Sequence, residues 1–430
     1  MRDDAMQIIR AALRDVMPGA AVAEALGRLE LRGDGRRIVI AVGKAAWEMA
    51  RAALDVLHGR VDGGVVITKY AHAKGKLDPL VICEAGHPVP DENGFRATAL
   101  ALDAVKNLCA GDDVLFLLSG GGSALLEKPL LPPQELQDVT QQLLACGADI
   151  VEMNTIRKRL SGVKGGRFAL ACAPARVHSI ILSDIIGDPV DMIASGPTCP
   201  DRSDCAQAVQ IARRCALKLS DAAWALLRTE TPKTLPNAEC LVTGSVKTLC
   251  RSAAQTCRRL GYEPLVLTSS LSCEASEAGR FLAAVAREHQ DSGRSLAFLA
   301  GGETVVHLKG TGKGGRNQEL ALAAAAGIEG CADTCVFSFG SDGTDGPTDA
   351  AGGYVDAQTA ARLRGAGVSL RAALENNDAY HALRAVDGLI VTGPTGTNVN
   401  DLSVVLIRRG NRRPARLTDA AAADKDISQI

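Results

Sequence analysis

The sequence is poor in aromatic residues, has almost no net charge and contains no long apolar run. Phe, Trp and Tyr make up 3% of its 430 residues, so its cores are expected to consist of Ala, Val, Leu and Ile. A net charge of −1 does not favour binding to nucleic acid or to an anionic membrane surface. The absence of an apolar run long enough to span a bilayer argues against a transmembrane helix.

Disulfide and zinc-binding patterns are also missing. The thirteen cysteines are scattered singly and form no Cys-x-x-Cys pair, so we expect reduced thiols in a cytoplasmic protein. The N-terminal segment predicts an amphipathic helix and not a signal peptide, because its apolar residues keep helical spacing: Met6, Ile9, Leu13 and Val16.

Strand-like and helix-like segments alternate along the chain, which predicts an α/β protein with mostly parallel, Rossmann-like sheets. The chain is longer than one core usually supports, so two domains are expected. The proline-marked stretch 231–236 is the expected boundary and gives domains of 1–236 and 237–430.

A glycine-rich segment in the second half predicts an anion-binding site. Residues 305–306 predict a strand, residues 310–315 form a glycine-rich loop, and a helix is predicted from Arg316 to about residue 326. The loop N–H groups, the helix N-terminus and the Arg316 guanidinium would all attract an anion. The same glycines fit G-x-G-x-x-G, which leaves a dinucleotide site open, as it does a loop that needs small residues for packing.

Two loops in the first half follow predicted strands, where α/β proteins place ligands. Lys44 comes after the strand 37–42; its alternative interpretation is an ordinary surface lysine. The second loop follows the strand 114–118 and has backbone N–H groups and hydroxyls that could hold phosphate oxygens. It consists of Ser119, Gly120, Gly121, Gly122 and Ser123.

The densest basic segment, residues 154–167, predicts a second anion-binding wall that includes Arg159 and Lys164, with a solvated helix face as the alternative. Asp184 and Asp188 follow the predicted strand 178–182, where carboxylates can hold Mg²⁺ or accept a proton from a hydroxyl group.

A further acidic loop after the predicted strand 334–339 contains Asp342 and Asp345, without the spacing of an EF-hand. Cations, glycine loops and carboxylates placed after strands together match the requirements of phosphoryl transfer.

The motifs of nearly the whole chain resemble those of the glycerate 2-kinases, the class II glycerate kinases whose C-terminal part is the MOFRL domain. The segments that carry the resemblance are 84–91, 119–123, 154–157, 164–166, 195–198, 301–303, 314–317, 345–349, 392–394 and 397–399. The resemblance implies ATP- and Mg²⁺-dependent phosphorylation of D-glycerate to 2-phosphoglycerate, in a cleft between two α/β domains.

The resemblance also implies roles for individual residues. Lys44 and Arg316 would be catalytic or substrate-binding, and Asp184 is a further catalytic candidate. One aspartate, with Asp184 and Asp188 as the leading candidates, would hold Mg²⁺, and another would activate the substrate hydroxyl. Metal-ligand candidates are Asp188, Asp342 and Asp345. Further substrate-binding or phosphate-binding candidates are Asn154, Arg159, Lys164, Glu303, Gly314, Gly315 and Asn317.

Members of this family have often been labelled hydroxypyruvate reductases, so an NAD(P)H-dependent reductase is the alternative. Which glycine loop binds ATP and which binds glycerate is left open. The expected partners are therefore small molecules, without nucleic acid or membrane, and a homodimer is compatible with the sequence.

Overall fold

The computed structural model describes residues 1–410 and divides into two compact units. The N-terminal unit is Met17–Ser245, and the C-terminal unit joins Met1–Val16 to the chain from Val246 onward. This division differs from the expected boundary after residue 236, because the strand Ala238–Gly244 pairs with the sheet of the N-terminal unit. The last 20 residues of the predicted second domain lie outside the described residues.

The first helix, α1 (Arg2–Asp15), belongs to the C-terminal unit. Its apolar face is buried in the same core as Leu249, with Ile9 fully enclosed. Asp4 accepts a hydrogen bond from the Tyr262 hydroxyl at 2.7 Å. The predicted amphipathic helix is thus confirmed, and its apolar stripe accounts for where it packs.

The sheet of the N-terminal unit has six parallel strands in the order β3-β2-β1-β4-β5-β6. Its two central strands are buried at every residue, as expected for continuous apolar runs in a parallel sheet. The predicted parallel arrangement is confirmed here. The strands are β1 (Arg37–Val42), β2 (Gly63–Lys69), β3 (Leu80–Ala85), β4 (Asp113–Leu118), β5 (Arg176–Leu182) and β6 (Ala238–Gly244).

Helices of the N-terminal unit cover this sheet and form a further apolar cluster of their own. Helix α7 begins with a capping box, in which Asp149 and Glu152 satisfy each other's backbone N–H groups. The helices are α2 (Pro18–Leu26), α3 (Ala46–Leu57), α4 (Glu92–Ala104), α5 (Gly122–Leu125), α6 (Pro133–Ala145), α7 (Ile150–Arg159), α8 (Arg167–Ala171), α9 (Cys205–Arg214) and α10 (Asp221–Leu227).

The sheet of the C-terminal unit is mixed, with the order β11-β10-β9-β12-β8-β7, and only β7 and β8 pair in parallel. It departs from the expected parallel arrangement at β9 and β10, which are neighbours joined without the crossover helix that parallel strands require, and at β12, which runs antiparallel to both of its neighbours, β8 and β9. The strands are β7 (Glu263–Leu271), β8 (Leu296–Gly302), β9 (Thr334–Gly340), β10 (Gly352–Asp356), β11 (Leu389–Ile390) and β12 (Asp401–Ile407).

The predicted helix after the glycine loop is confirmed as α13, whereas the predicted strand at 305–306 is wrong. That segment makes only an isolated bridge between Val305 and Glu274. The helices of this unit after α1 are α11 (Val246–Arg259), α12 (Ala275–Glu288), α13 (Arg316–Gly327), α14 (Thr359–Gly365), α15 (Leu370–Glu375) and α16 (Ala379–Ala385).

All thirteen cysteines are free thiols. Within residues 1–410, no helix combines the length and the apolar character needed to cross a bilayer.

Candidate active site

The strand order of the N-terminal sheet reverses between β1 and β4, and the loops that follow these two strands meet at the carboxyl edge of the sheet. In open α/β sheets this reversal point opens a crevice in which ligands bind. Lys44 follows β1 and residues 119–123 follow β4. We call residues 119–123 the serine–glycine loop.

Backbone contacts lock these two loops together. The Lys44 N–H donates to the Gly120 carbonyl at 2.9 Å, and the Ala45 N–H donates to Ser119 Oγ at 3.1 Å. Gly43 has a φ of 124°, and a β-carbon there would lie 2.2 Å from Ser119 Oγ, so only glycine allows this approach. The fixed backbone carries the exposed Lys44 side chain at the mouth of the crevice.

The serine–glycine loop presents unused backbone donors. Among the described residues, the N–H groups of Gly120, Gly121, Gly122 and Ser123 have no hydrogen-bond acceptor. Gly121 has a φ of 90°, which turns the backbone at the start of the short helix α5. Neighbouring N–H groups of this kind form a concave site for an anion.

A carboxylate and an imidazole flank this loop. A β-carbon on Gly120 would lie 2.3 Å from Asp184 Oδ2, and one on Gly121 would lie 3.2 Å from His87 Nε2. Burial, helped by the positive charge of Lys44, holds the pKa of His87 below its usual value. His87 was not named as a candidate site residue, although it lies in the segment 84–91 that carries the family resemblance.

Side chains from α7 contact the other end of the loop. Arg157 Nη2 donates to the Ser123 carbonyl at 3.3 Å, and Asn154 Oδ1 accepts from Ser195 Oγ at 2.7 Å. Asn154 and Arg157 are three residues apart and therefore share one face of the helix. Arg157 and Ser195 both lie in segments that carry the family resemblance, 154–157 and 195–198, but neither was named as a candidate site residue; helical spacing from Asn154 could have identified Arg157.

The predicted anion-binding wall of Arg159 and Lys164 is corrected by the structure. Both side chains are fully buried. Arg159 donates to Ser203 and lies 3.6 Å from Asp201, while Lys164 Nζ is 2.7 Å from Glu127 Oε2. Burial lowers the pKa of Lys164 to about 8. Their charges are therefore used to neutralise buried carboxylates, which leaves neither available to a ligand.

In the C-terminal unit, Arg316 lies at the start of α13 and is held by carboxylates. Its Nε and Nη2 atoms contact the two oxygens of Asp401 at 2.5 and 3.1 Å, and Nη1 contacts Glu303 Oε1 at 2.7 Å. Burial would lower the pKa of Arg316, but the two carboxylates outweigh it and raise that pKa. Asp401 was missed from sequence because it begins β12, a strand that was not predicted.

The loop before α13, which we call the glycine loop (residues 309–315), differs from its prediction. The N–H groups of residues 309–313 all donate to the segment 376–378, at 2.7–3.1 Å. A β-carbon on Gly312 would lie 2.5 Å from Asp378 Cβ. The glycines of residues 310–313 therefore serve close packing, and the donors expected to bind an anion are already occupied.

Asp345 caps α13 from outside the helix. Its Oδ1 accepts from the backbone and side-chain nitrogens of Asn317 at 3.1 and 3.3 Å, and its Oδ2 accepts from both nitrogens of Gln318 at 2.9 Å. Gly315 leaves room for this carboxylate, since a β-carbon there would lie 2.3 Å from Asp345 Cγ. The structure thus assigns Asp345 and Asn317 to helix capping, which corrects their predicted roles in metal and phosphate binding.

The remaining carboxylate candidates lie in different units. Asp184 and Asp188 follow β5, whereas Asp342 follows β9 and accepts from the Thr344 N–H at 3.0 Å. No group of three or more metal-binding side chains occurs within residues 1–410. Mg²⁺ needs only one or two protein carboxylates, because water and phosphate supply its other ligands. These aspartates therefore fit Mg²⁺ better than a metal ion that takes all its ligands from the protein.

Comparisons with known proteins bear on both units. A family model described as domain of unknown function (DUF4147) matches residues 4–228, and the MOFRL family matches residues 296–401. D-glycerate 2-kinase of Thermotoga maritima is 48% identical over 94% of this chain and 97% of its own length. The chain belongs to the glycerate 2-kinase family.

A second relative and a solved structure are also similar to this chain over nearly its whole length. A protein of Agrobacterium vitis whose name includes hydroxypyruvate reductase is 40% identical over 93% of both chains. The crystal structure of glycerate kinase from Thermotoga maritima has a TM-score of 0.91 and 48% identity, covering 94% of this chain and 99% of that chain. The fold and the family predicted from the sequence are confirmed.

Proposed function

We propose that this protein is a glycerate 2-kinase, which transfers the γ-phosphoryl group of ATP to the 2-hydroxyl of D-glycerate and releases ADP. The observation that carries the proposal is the serine–glycine loop, with four unused N–H donors beside the exposed ammonium of Lys44. Phosphoryl transfer depends on positioned donors and cations of this kind. The assignment of the 2-hydroxyl follows the name of the Thermotoga maritima relative.

Roles follow from the contacts. Lys44 and the N–H groups of residues 120–123 bind an anionic group, and Arg157 supports the loop from α7. Asp184, next to Gly120, accepts the proton of the substrate hydroxyl. Arg316, oriented by Asp401 and Glu303, is the second cation needed for turnover.

ATP is the phosphate donor in this proposal, and Mg²⁺ would assist by neutralising its phosphates. Asp188 of the N-terminal unit and Asp342 of the C-terminal unit are proposed as separate candidate ligands, and Asp345 is removed from that set because four N–H donors already occupy its oxygens. Gly314 and Gly315 are proposed only to let a ligand come close to the backbone at the start of α13. Gly315 also leaves room for the Asp345 carboxylate.

A coupled assay tests the proposal. ADP release should require both D-glycerate and Mg²⁺, and NMR of the product should show the phosphate on C2. We expect Lys44→Ala and Arg316→Ala each to lower kcat by about 10³-fold, as loss of a charge-stabilising cation does in phosphoryl transfer. Lys106→Ala, which removes an exposed lysine that pairs with Asp103, is the matched control and should keep wild-type activity.

The reductase is the second candidate, favoured by the name of the Agrobacterium vitis relative. Its support from the G-x-G-x-x-G pattern is weakened, because the N–H groups of that loop are occupied by residues 376–378. Oxidation of NADH or NADPH by hydroxypyruvate, without ADP release from ATP and glycerate, would favour the reductase. The expected homodimer stays a prediction that light scattering can test.

A further inference from the structure

Three hydrogen-bonded side chains connect the interior of the N-terminal unit to the serine–glycine loop. Asn154 Oδ1 accepts from Ser195 Oγ at 2.7 Å, and Ser195 Oγ lies 3.3 Å from Ser123 Oγ. Asn154 and Ser195 are buried, whereas Ser123 is half-buried. The chain of hydrogen bonds therefore ends on a half-buried residue of the serine–glycine loop.

The orientation of the Asn154 amide fixes the direction of these bonds. Its Nδ2 atom lies 3.6 Å from Met192 Sδ, and a thioether can only accept, so Oδ1 faces Ser195. A carbonyl oxygen cannot donate, which commits the single proton of Ser195 to Asn154. Ser123 must then be the donor in its contact with Ser195.

The backbone around Ser195 keeps this hydroxyl in place. Ala194, Ser195 and Gly196 all have left-handed φ values of 50°, 61° and 63°. Each non-glycine residue in that region costs about 1–2 kcal/mol, so the surrounding contacts must impose the conformation. One such contact is the Gly165 N–H, which donates to the Ser195 carbonyl at 2.9 Å.

We infer that Ser123 recognises a hydroxyl group of a substrate by accepting a hydrogen bond from it, with Ser195 as the positioning residue. The proton of Ser123 is already used within the chain, so only its lone pairs face a ligand. Phosphate oxygens at neutral pH are acceptors and would find no donor at this hydroxyl, although they can still accept from the backbone N–H groups of the loop. This inference rests on the proposed function, and the hydroxyl belongs either to glycerate or to the ribose of the nucleotide.

Binding constants measured by calorimetry distinguish these sources and do not require turnover. D-lactate lacks the 3-hydroxyl of D-glycerate, and 2′-deoxy-ATP and 3′-deoxy-ATP each lack one ribose hydroxyl. For one of the two hydroxyl sources, glycerate or the nucleotide, wild-type protein should bind the hydroxyl-bearing compound at least about tenfold more tightly than an analogue that lacks the hydroxyl. Ser123→Ala should reduce that ratio to about threefold or less, and Ser195→Ala should reduce it part of the way.

Two variants control for indirect effects. Asn154→Asp keeps an acceptor for Ser195 and should keep the wild-type ratio. Ser179→Ala removes another buried hydroxyl of the same unit, one that donates to Thr198 at 2.7 Å, and should also leave the ratio unchanged. A structural role for Ser195 would lower the melting temperature without moving the ratio between the two ligands.

The inference is overturned if Ser123→Ala leaves both hydroxyl preferences unchanged, if wild-type protein shows neither preference or binds neither ligand, or if Ser123→Ala instead weakens binding of tripolyphosphate tenfold. Because Ser123 is half-buried, its variant keeps the test valid even if Ser195→Ala fails to fold. Failure of the proposed function is a different result, namely no ADP release from wild-type protein with D-glycerate.

Discussion

The serine–glycine loop and the glycine loop both predict anion binding from sequence, yet the structure uses their backbones differently. In the serine–glycine loop, the N–H groups of residues 120–123 have no acceptor within the described part of the chain. In the glycine loop, all five N–H groups of residues 309–313 donate to the segment 376–378. The glycine content of a loop thus indicates which conformations its backbone can adopt, whereas the residues packed against the loop decide whether its N–H groups remain available to a ligand.

The largest expected effect comes from replacing one glycine by alanine in the serine–glycine loop and, for comparison, one in the glycine loop. Gly120→Ala places a β-carbon 2.3 Å from Asp184 Oδ2, inside the proposed anion site, and should lower kcat/KM by about 10²–10³-fold. Gly312→Ala places one 2.5 Å from Asp378 Cβ and should instead lower the free energy of unfolding by about 1–3 kcal/mol. Steady-state kinetics and urea unfolding check both. Equal effects of the two variants on activity would contradict the comparison.

The fold was partly predictable because buried strands are continuous apolar runs, as the predicted strands at 37–42, 114–118 and 178–182 show for β1, β4 and β5 of the N-terminal sheet. Strands β10 and β11 were not predicted, since Gly352–Asp356 opens with two glycines and Leu389–Ile390 has only two residues. Strand β12 (Asp401–Ile407) was also missed, although it is buried at every residue. The site was only partly predictable. Lys44 and the serine–glycine loop follow strands, but no local pattern shows that Asn377 fills the glycine loop from 60 or more residues away in sequence.

Two arginines of α7 give the next contrast, because the sequence pointed to Arg159 and the structure points to Arg157. Arg157→Met removes a cation that contacts the Ser123 carbonyl and should lower kcat/KM about tenfold, with little loss of stability. Arg159→Met leaves Asp201 less well neutralised in the interior and should destabilise the protein by about 3 kcal/mol. A tenfold activity loss in a folded Arg159→Met protein would restore the original prediction.

Removing the Asn377 side chain tests whether the hydrogen bonds that it accepts from the glycine loop stabilise the fold. Asn377 Oδ1 accepts from the N–H groups of Lys309 and Gly310, at 2.7 and 3.0 Å. Because Asn377 has a φ of 53°, glycine is the substitution that removes the side chain without backbone strain. We expect Asn377→Gly to lower the unfolding free energy by about 2 kcal/mol, measured by urea denaturation, with kcat/KM within about threefold of wild type. A loss of activity without loss of stability would place the glycine loop in the active site after all.

The last expected effect is a loss of activity at acidic pH, caused by protonation of a carboxylate that holds Arg316. Burial raises the pKa of Asp401 to about 6, although its bond to Arg316 opposes the shift. Asp401 is ionised above that pH and neutral below it, so its hold on Arg316 weakens as the pH falls through 6. We expect kcat/KM to decrease about tenfold between pH 7 and pH 5.

Two variants test whether Asp401 causes this decrease. Asp401→Asn should not lose activity between pH 7 and pH 5, whereas Glu303→Gln, which alters the other partner of Arg316, should still lose it. An acidic limb that persists unchanged in Asp401→Asn would assign the titration to another group and remove Asp401 as the residue that orients Arg316.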